Sequence, residues 1–134
     1  MTLQRNLTSE ILQLTTPYNN KYQGSSKRLL FVCSVGLLRS PTSASVAIKQ
    51  GYNARSCGSD LYHALIPLSV NLIAWADTIV FINKVNYIET INREWDGWLD
   101  MIKSKAVIWR IEDEYDYNDP YLIAQIEDKL KELT

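Results

Sequence analysis

The 134-residue chain is poor in the residues that usually announce a scaffold: two cysteines, one histidine, four prolines and five glycines. Two cysteines, Cys33 and Cys57, make no disulfide framework, and a reduced, reactive thiol is compatible with that usage. With His63 as the sole imidazole there is no second histidine to complete a metal site, so neither a metal nor another cofactor is expected, and His63 reads as a surface or packing residue. Charge of neither sign dominates: fourteen basic against fifteen acidic residues give a formal charge of -1. That balance excludes an extended basic face for nucleic acid or anionic lipid. No run of about 18 apolar residues occurs, and the N-terminus lacks a charged-then-apolar signal pattern, so no membrane association and a cytoplasmic location are expected. At 46% hydrophobic and 22% charged residues, the composition is that of one globular domain with one core.

The most informative stretch runs from Leu29 through Phe31, Val32, Cys33, Ser34, Val35, Gly36, Leu37, Leu38, Arg39 and Ser40 to Pro41. Four apolar residues before Cys33 suit a strand covered on both faces, as in a parallel sheet. Ser40 is expected as the N-cap of a helix and Pro41 as its first residue. Between strand and helix, the backbone N–H groups of Ser34 to Arg39 would curl toward one point, and the helix adds its positive end. Such a concavity suits a tetrahedral oxyanion. Cys33 at its base would be favoured as thiolate, Arg39 offers a planar fork for two phosphate oxygens, and Ser40 a hydroxyl for the sulfur or the loop. A thiolate beside a cradled phosphate points to phosphoryl transfer through a phosphocysteine.

Cys33, five residues, Arg39 and Ser40 resemble the phosphate loop of the low-molecular-weight protein tyrosine phosphatases, and the resemblance extends from about Arg28 to the C-terminus. It implies an α/β, three-layer fold: a four-stranded parallel sheet in order 2-1-3-4 with helices on both faces, to which this chain adds an N-terminal helix. It further implies that Ser56 braces the phosphate loop, that Tyr62 and Tyr115 wall the substrate cleft, and that Asp113 is the general acid. The loop residues Ser34, Val35, Gly36, Leu37 and Leu38 would bind substrate phosphate. The chain departs from the family at Gly36, where an asparagine usually braces the loop, at Leu38, where a second cysteine often protects the nucleophile, and at Glu114, in place of a proline.

Along the chain, Leu3, Leu7, Ile11 and Leu14 form one helical stripe that Pro17 ends, so residues 1–27 read as a helix and linker and 28–134 as the phosphatase-like domain. Helices are expected over 41–50, closed by Gly51, over 67–75, over 84–93 with Val85, Ile88 and Ile91 on one face, and over 121–133 with Leu122, Ile126, Leu130 and Leu133 inward. Strands are expected over 28–33, 52–57, 77–82 and 106–109, with a turn at Asp96 and Gly97. Strands alternating with helices argue for a parallel sheet with ligands at the carboxyl ends of its strands.

The expected function is hydrolysis of phosphate monoesters, phosphotyrosine in a protein or a small aryl phosphate, by a cysteine-dependent tyrosine phosphatase; the sequence leaves the oligomeric state open. Three rivals share parts of the pattern. An arsenate reductase of the same fold needs further thiols to pass a disulfide outward, and only Cys57 is at hand. A phosphocysteine carrier of a sugar transport system has no use for Asp113. A catalytically weak or inactive phosphate or phosphoprotein binder fits the departures at Gly36 and Glu114.

Overall fold

The computed structural model describes residues 26–35, 39–112 and 114–133. Residues 1–25 of the helix and linker expected over 1–27, the loop residues Gly36, Leu37 and Leu38, and Asp113 lie outside them. In chain order the elements are β1 (Arg28–Cys33), α1 (Arg39–Lys49), β2 (Asn53–Gly58), α2 (Val70–Trp75), β3 (Thr78–Phe81), α3 (Lys84–Ile91), α4 (Leu99–Lys105), β4 (Ala106–Ile108) and α5 (Pro120–Leu130), followed by a 3-10 turn, Lys131–Leu133.

The four strands form one parallel sheet in the expected order β2-β1-β3-β4. β1 is central because its side chains can be buried on both faces: Leu29 to Val32 are fully buried. Alternation along it feeds two cores. Leu29, Phe31 and Cys33 join α1 and α5 through Ala44, Ala47, Leu122 and Ile126. Leu30 and Val32 join α2 and α4 through Leu72, Ile73, Trp75 and Ile102 on the other face. This is the three-layer arrangement, and it sends every strand's carboxyl end to one edge.

Local signals explain most boundaries. Gly51, with φ +95, closes α1 in a conformation that favours glycine, and Asp119 caps α5 by accepting the Tyr121 N–H, with Pro120 at the first turn. α2 begins at Val70 rather than Pro67, because Ser69 caps it by accepting from the Leu72 N–H, while Pro67 bridges to Gly58 beside the sheet. α4 was not expected beyond the turn at Asp96 and Gly97; Ile102 is its one buried residue, too little periodicity to read in advance.

The largest difference is in α3. The apolar stripe does not face inward: Val85 and Ile88 are exposed, and the buried residues are Asn86 and Thr90. A helix buries a polar face only where the surroundings supply hydrogen-bond partners. Those partners lie at the sheet edge.

Candidate active site

β1 ends at Cys33, which is 3% exposed, and its Sγ lies 3.0 Å from Ser40 Oγ. Ser40 is not the N-cap expected of it. α1 begins two residues before Pro41, at Arg39, which places Ser40 in the first turn with its hydroxyl turned inward to the sulfur and, at 3.2 Å, to the Cys57 carbonyl. A hydroxyl has one proton to give. It goes to the carbonyl while Cys33 is a thiol donating to Ser40, and is available to the sulfur when Cys33 is a thiolate.

Backbone geometry after Cys33 follows from peptide planarity. The carbonyls of Cys33, Ser34 and Val35 accept, in order, from the N–H groups of Ser59 at 2.7 Å, Asp60 at 2.8 Å and Leu65 at 3.3 Å, all on the segment that leaves β2. In a trans peptide the carbonyl and the following N–H point in opposite directions. Tying the Cys33 and Ser34 carbonyls to one side therefore aims the N–H groups of Ser34 and Val35 to the other, the concave donor arrangement that binds anions.

Gly58 lets the two segments approach. A Cβ there would lie 2.5 Å from the Ala64 Cβ, 2.6 Å from the Ser34 oxygen and 2.9 Å from the Val35 carbonyl carbon. Two of these are backbone atoms that cannot swing aside. Gly58→Ala is expected to cost about 1–3 kcal/mol of stability, seen as a lowered denaturation midpoint, and to weaken inorganic phosphate binding in calorimetry, because the strain falls on the turn that carries the donors.

Arg39 is 5% exposed, and its Nη1 donates to the Ile111 carbonyl at 2.9 Å. The Asn83 side chain reaches the same carbonyl at 3.5 Å. Thus the helix after Cys33 is fastened to the segment after β4, two residues before Asp113 in sequence.

A third connection was not foreseen. Asn86, 1% exposed, accepts the Asn83 N–H at 3.1 Å through Oδ1, while its Nδ2 donates to Ser34 Oγ at 3.0 Å and Ser59 Oγ at 3.5 Å. Ser59 Oγ in turn donates to the Cys33 carbonyl at 3.4 Å, and Ser34 Oγ to Glu89 Oε1 at 3.5 Å. Ser59 therefore takes the bracing part expected of Ser56, which sits mid-strand opposite Phe31. The signal in the sequence is the polar side of the 84–93 pattern, which carries Asn86 and Thr90.

Ser34, Arg39, Asn83, Val85, Asn86 and Glu112 line a cavity of about 260 Å³. Tyr62 is 87% exposed, on the same segment that holds the Cys33, Ser34 and Val35 carbonyls. Tyr115 is half-buried: its ring packs on the β1–α1–α5 core, and its hydroxyl accepts from Gln125 at 2.7 Å. Exposed His63 rests on Asp60 at 3.0 Å. Among the described residues, no group of histidines, cysteines and carboxylates could hold a metal, and no helix is long and apolar enough to cross a membrane.

Cys57 pairs in register with Val32 and lies in the core on the α2 side, whereas Cys33 lies in the core on the α1 side. A disulfide requires facing Cβ vectors, so these two thiols do not bond. Burial, and then the neighbouring Cys33, push the Cys57 thiol far above its ordinary range, which leaves it inert.

No sequence-family model and no curated protein sequence matches the chain. Solved structures do. The YwlE arginine phosphatase from Geobacillus stearothermophilus is 18% identical with a TM-score of 0.55, covering 80% of this chain and 87% of its own. A YwlE arginine phosphatase in which serine replaces cysteine, with that active-site serine phosphorylated, is 18% identical at a TM-score of 0.53, covering 79% of this chain and 90% of its own. A YwlE mutant from Bacillus subtilis is 21% identical at 0.50, covering 81% and 93%. At these identities the likeness is one of fold: the chain has the α/β fold of the YwlE arginine phosphatases.

Proposed function

We propose that the chain is a cysteine-dependent phosphatase working through a phosphocysteine. The observation that carries this reading is Cys33 Sγ at 3.0 Å from Ser40 Oγ, at the start of a turn whose Cys33, Ser34 and Val35 carbonyls are tied to the segment that leaves β2. The thiolate attacks phosphorus, and the bond from phosphorus to the leaving group breaks as Asp113 gives that group its proton. Asp113, now a carboxylate, takes a proton from water as the water oxygen attacks phosphorus. The P–S bond breaks, and inorganic phosphate leaves with the thiolate restored. Arg39 and the N–H groups of Ser34 and Val35, continued by Gly36, Leu37 and Leu38, hold the equatorial oxygens, where charge must be stabilised.

Phosphotyrosine is the proposed ester, on a protein or as a small aryl phosphate, supported by Tyr62 standing exposed on the segment tied to the phosphate loop, with Tyr115 as a further aromatic nearby in the sequence of the acid segment. A second reading has its own support. Glu112 lines the cavity and Glu89 meets Ser34; carboxylates there suit a cationic guanidinium leaving group, and the structural neighbours are arginine phosphatases. An arsenate reductase is disfavoured, since Cys57 on the opposite face cannot resolve an oxidised Cys33. The proposed compartment is the cytoplasm, where a lone thiol stays reduced.

The test is hydrolysis by the purified chain, with a chelator present, of phenyl phosphate, a phosphotyrosine peptide and a phosphoarginine peptide in parallel. Turnover of the two aryl substrates is expected. Preference for phosphoarginine would move the substrate to the second reading, and phosphate binding without any hydrolysis would make the chain a binder.

A further inference from the structure

We infer that Asn86 is a positioning residue that sets the start of the phosphate-binding turn, at Cys33 and Ser34. The inference rests on the phosphatase reading for its catalytic consequence but not for its geometry. The Asn86 side-chain amide joins the exits of three adjacent strands: Ser34 after β1, Ser59 after β2 and Asn83 after β3.

The directions of the hydrogen bonds are consistent throughout. Both amide protons of Asn86 are used, one toward each serine hydroxyl, so each hydroxyl's own proton is sent onward. That of Ser59 goes to the Cys33 carbonyl, and that of Ser34 to the Glu89 carboxylate. The first branch ends on the carbonyl whose peptide partner is the Ser34 N–H. Holding that carbonyl holds the first anion donor, because the plane turns as one unit.

Helix packing gives independent support. α3 buries Asn86 and Thr90 and leaves Val85 58% and Ile88 41% exposed, the reverse of what burial of apolar surface favours. Thr90 Oγ donates to the Asn86 carbonyl at 2.8 Å, and Trp95 fastens the end of the helix by donating its indole N–H to the Thr90 carbonyl at 2.7 Å. Two of the helix's own polar groups and one tryptophan thus fix the rotation that presents Asn86 to the site. Asn86 Oδ1 also closes a capping box with Asn83, so the helix cap and the site share one side chain through different atoms.

Three forms separate the two roles: Asn86→Ala; Ser34→Ala with Ser59→Ala, which leaves Asn86 and its cap intact; and all three together. The first readout needs no enzyme activity. It is the ratio of Cys33 alkylation rates with iodoacetate and iodoacetamide, at fixed pH, with protection by inorganic phosphate. An anionic reagent is favoured by aligned N–H donors and a neutral one is not, whereas general loosening raises both rates together. In Asn86→Ala the ratio is expected to fall roughly tenfold, the equivalent of one lost hydrogen bond, and kcat/KM to fall roughly 10²-fold, mostly in kcat. The serine pair is expected to reproduce both losses, and the triple variant to add nothing, as for residues acting along one chain. Should Asn86→Ala fail to fold, the serine pair alone decides. A folded Asn86→Ala with an unchanged ratio, a serine pair with an unchanged ratio, or losses that add in the triple variant would overturn the inference. Absence of hydrolysis by the native chain would defeat the phosphatase reading instead, leaving the alkylation ratio to decide the part of Asn86.

Discussion

Replacing Cys33 with serine is expected to lower turnover of phenyl phosphate by roughly 10⁴-fold or more, while inorganic phosphate still binds. The two outcomes separate because different atoms serve them. In the proposed site, binding draws on Arg39 and on the Ser34 and Val35 N–H groups aimed by the Ser59 and Asp60 contacts, neither of which involves the sulfur. Turnover draws on a nucleophilic sulfur, and an alcohol oxygen without an adjacent base is a far weaker nucleophile. In Cys33→Ser the pair formed with Ser40 becomes two hydroxyls, and neither is a strong enough base to deprotonate the other. Steady-state hydrolysis and phosphate calorimetry on the same sample check both halves. A variant that keeps its turnover would exclude Cys33 as the nucleophile, and one that loses phosphate binding would show the sulfur to be part of the anion site.

The second large effect is expected at Asp113. Asp113→Asn keeps the size of the side chain and removes its acidity, so the leaving group departs unprotonated and water attacks without a base. General acid–base help of this kind is typically worth ~10²- to 10⁴-fold. The loss should depend on the leaving group: phenyl phosphate, whose phenolate is strongly basic, suffers most, and nitrophenyl phosphate, whose phenolate leaves readily, suffers least. A plot of log kcat against leaving-group acidity should therefore be nearly flat for the native chain and steep for Asp113→Asn. Equal loss on every substrate would assign Asp113 to structure. Should Glu112→Gln rather than Asp113→Asn steepen the plot, the acid would be the residue that lines the cavity.

Much of the scaffold could be read from the chain because its signals are local. The run from Leu29 to Val32 is apolar at every position, as burial on two faces requires, and Leu122, Ile126 and Leu130 keep helical spacing on a helix that has only one buried face. Cys33 and Ser40 stand close in sequence, and their side chains meet. The bracing of the turn after Cys33 was not legible, because it is assembled from strand exits far apart in the chain. No local pattern separates Ser59 from Ser56 or marks Gly58 as a point of close approach, and Asn86 lies on the side of α3 away from its apolar stripe. Reading a helix by its apolar stripe assumes that the alternative to core is solvent. At α3 the alternative is the site itself, and the polar stripe wins because its partners are fixed there.

The separation of Cys33 and Cys57 onto opposite sides of the sheet decides how the chain meets hydrogen peroxide. A sulfenic acid formed on Cys33 has no second thiol of its own chain to condense with, so no intramolecular disulfide stands between it and the irreversible sulfinic form. Disulfide protection of the proposed nucleophile would then depend on a small thiol such as glutathione arriving from solution, which ties its survival under oxidative stress to the surrounding thiol pool.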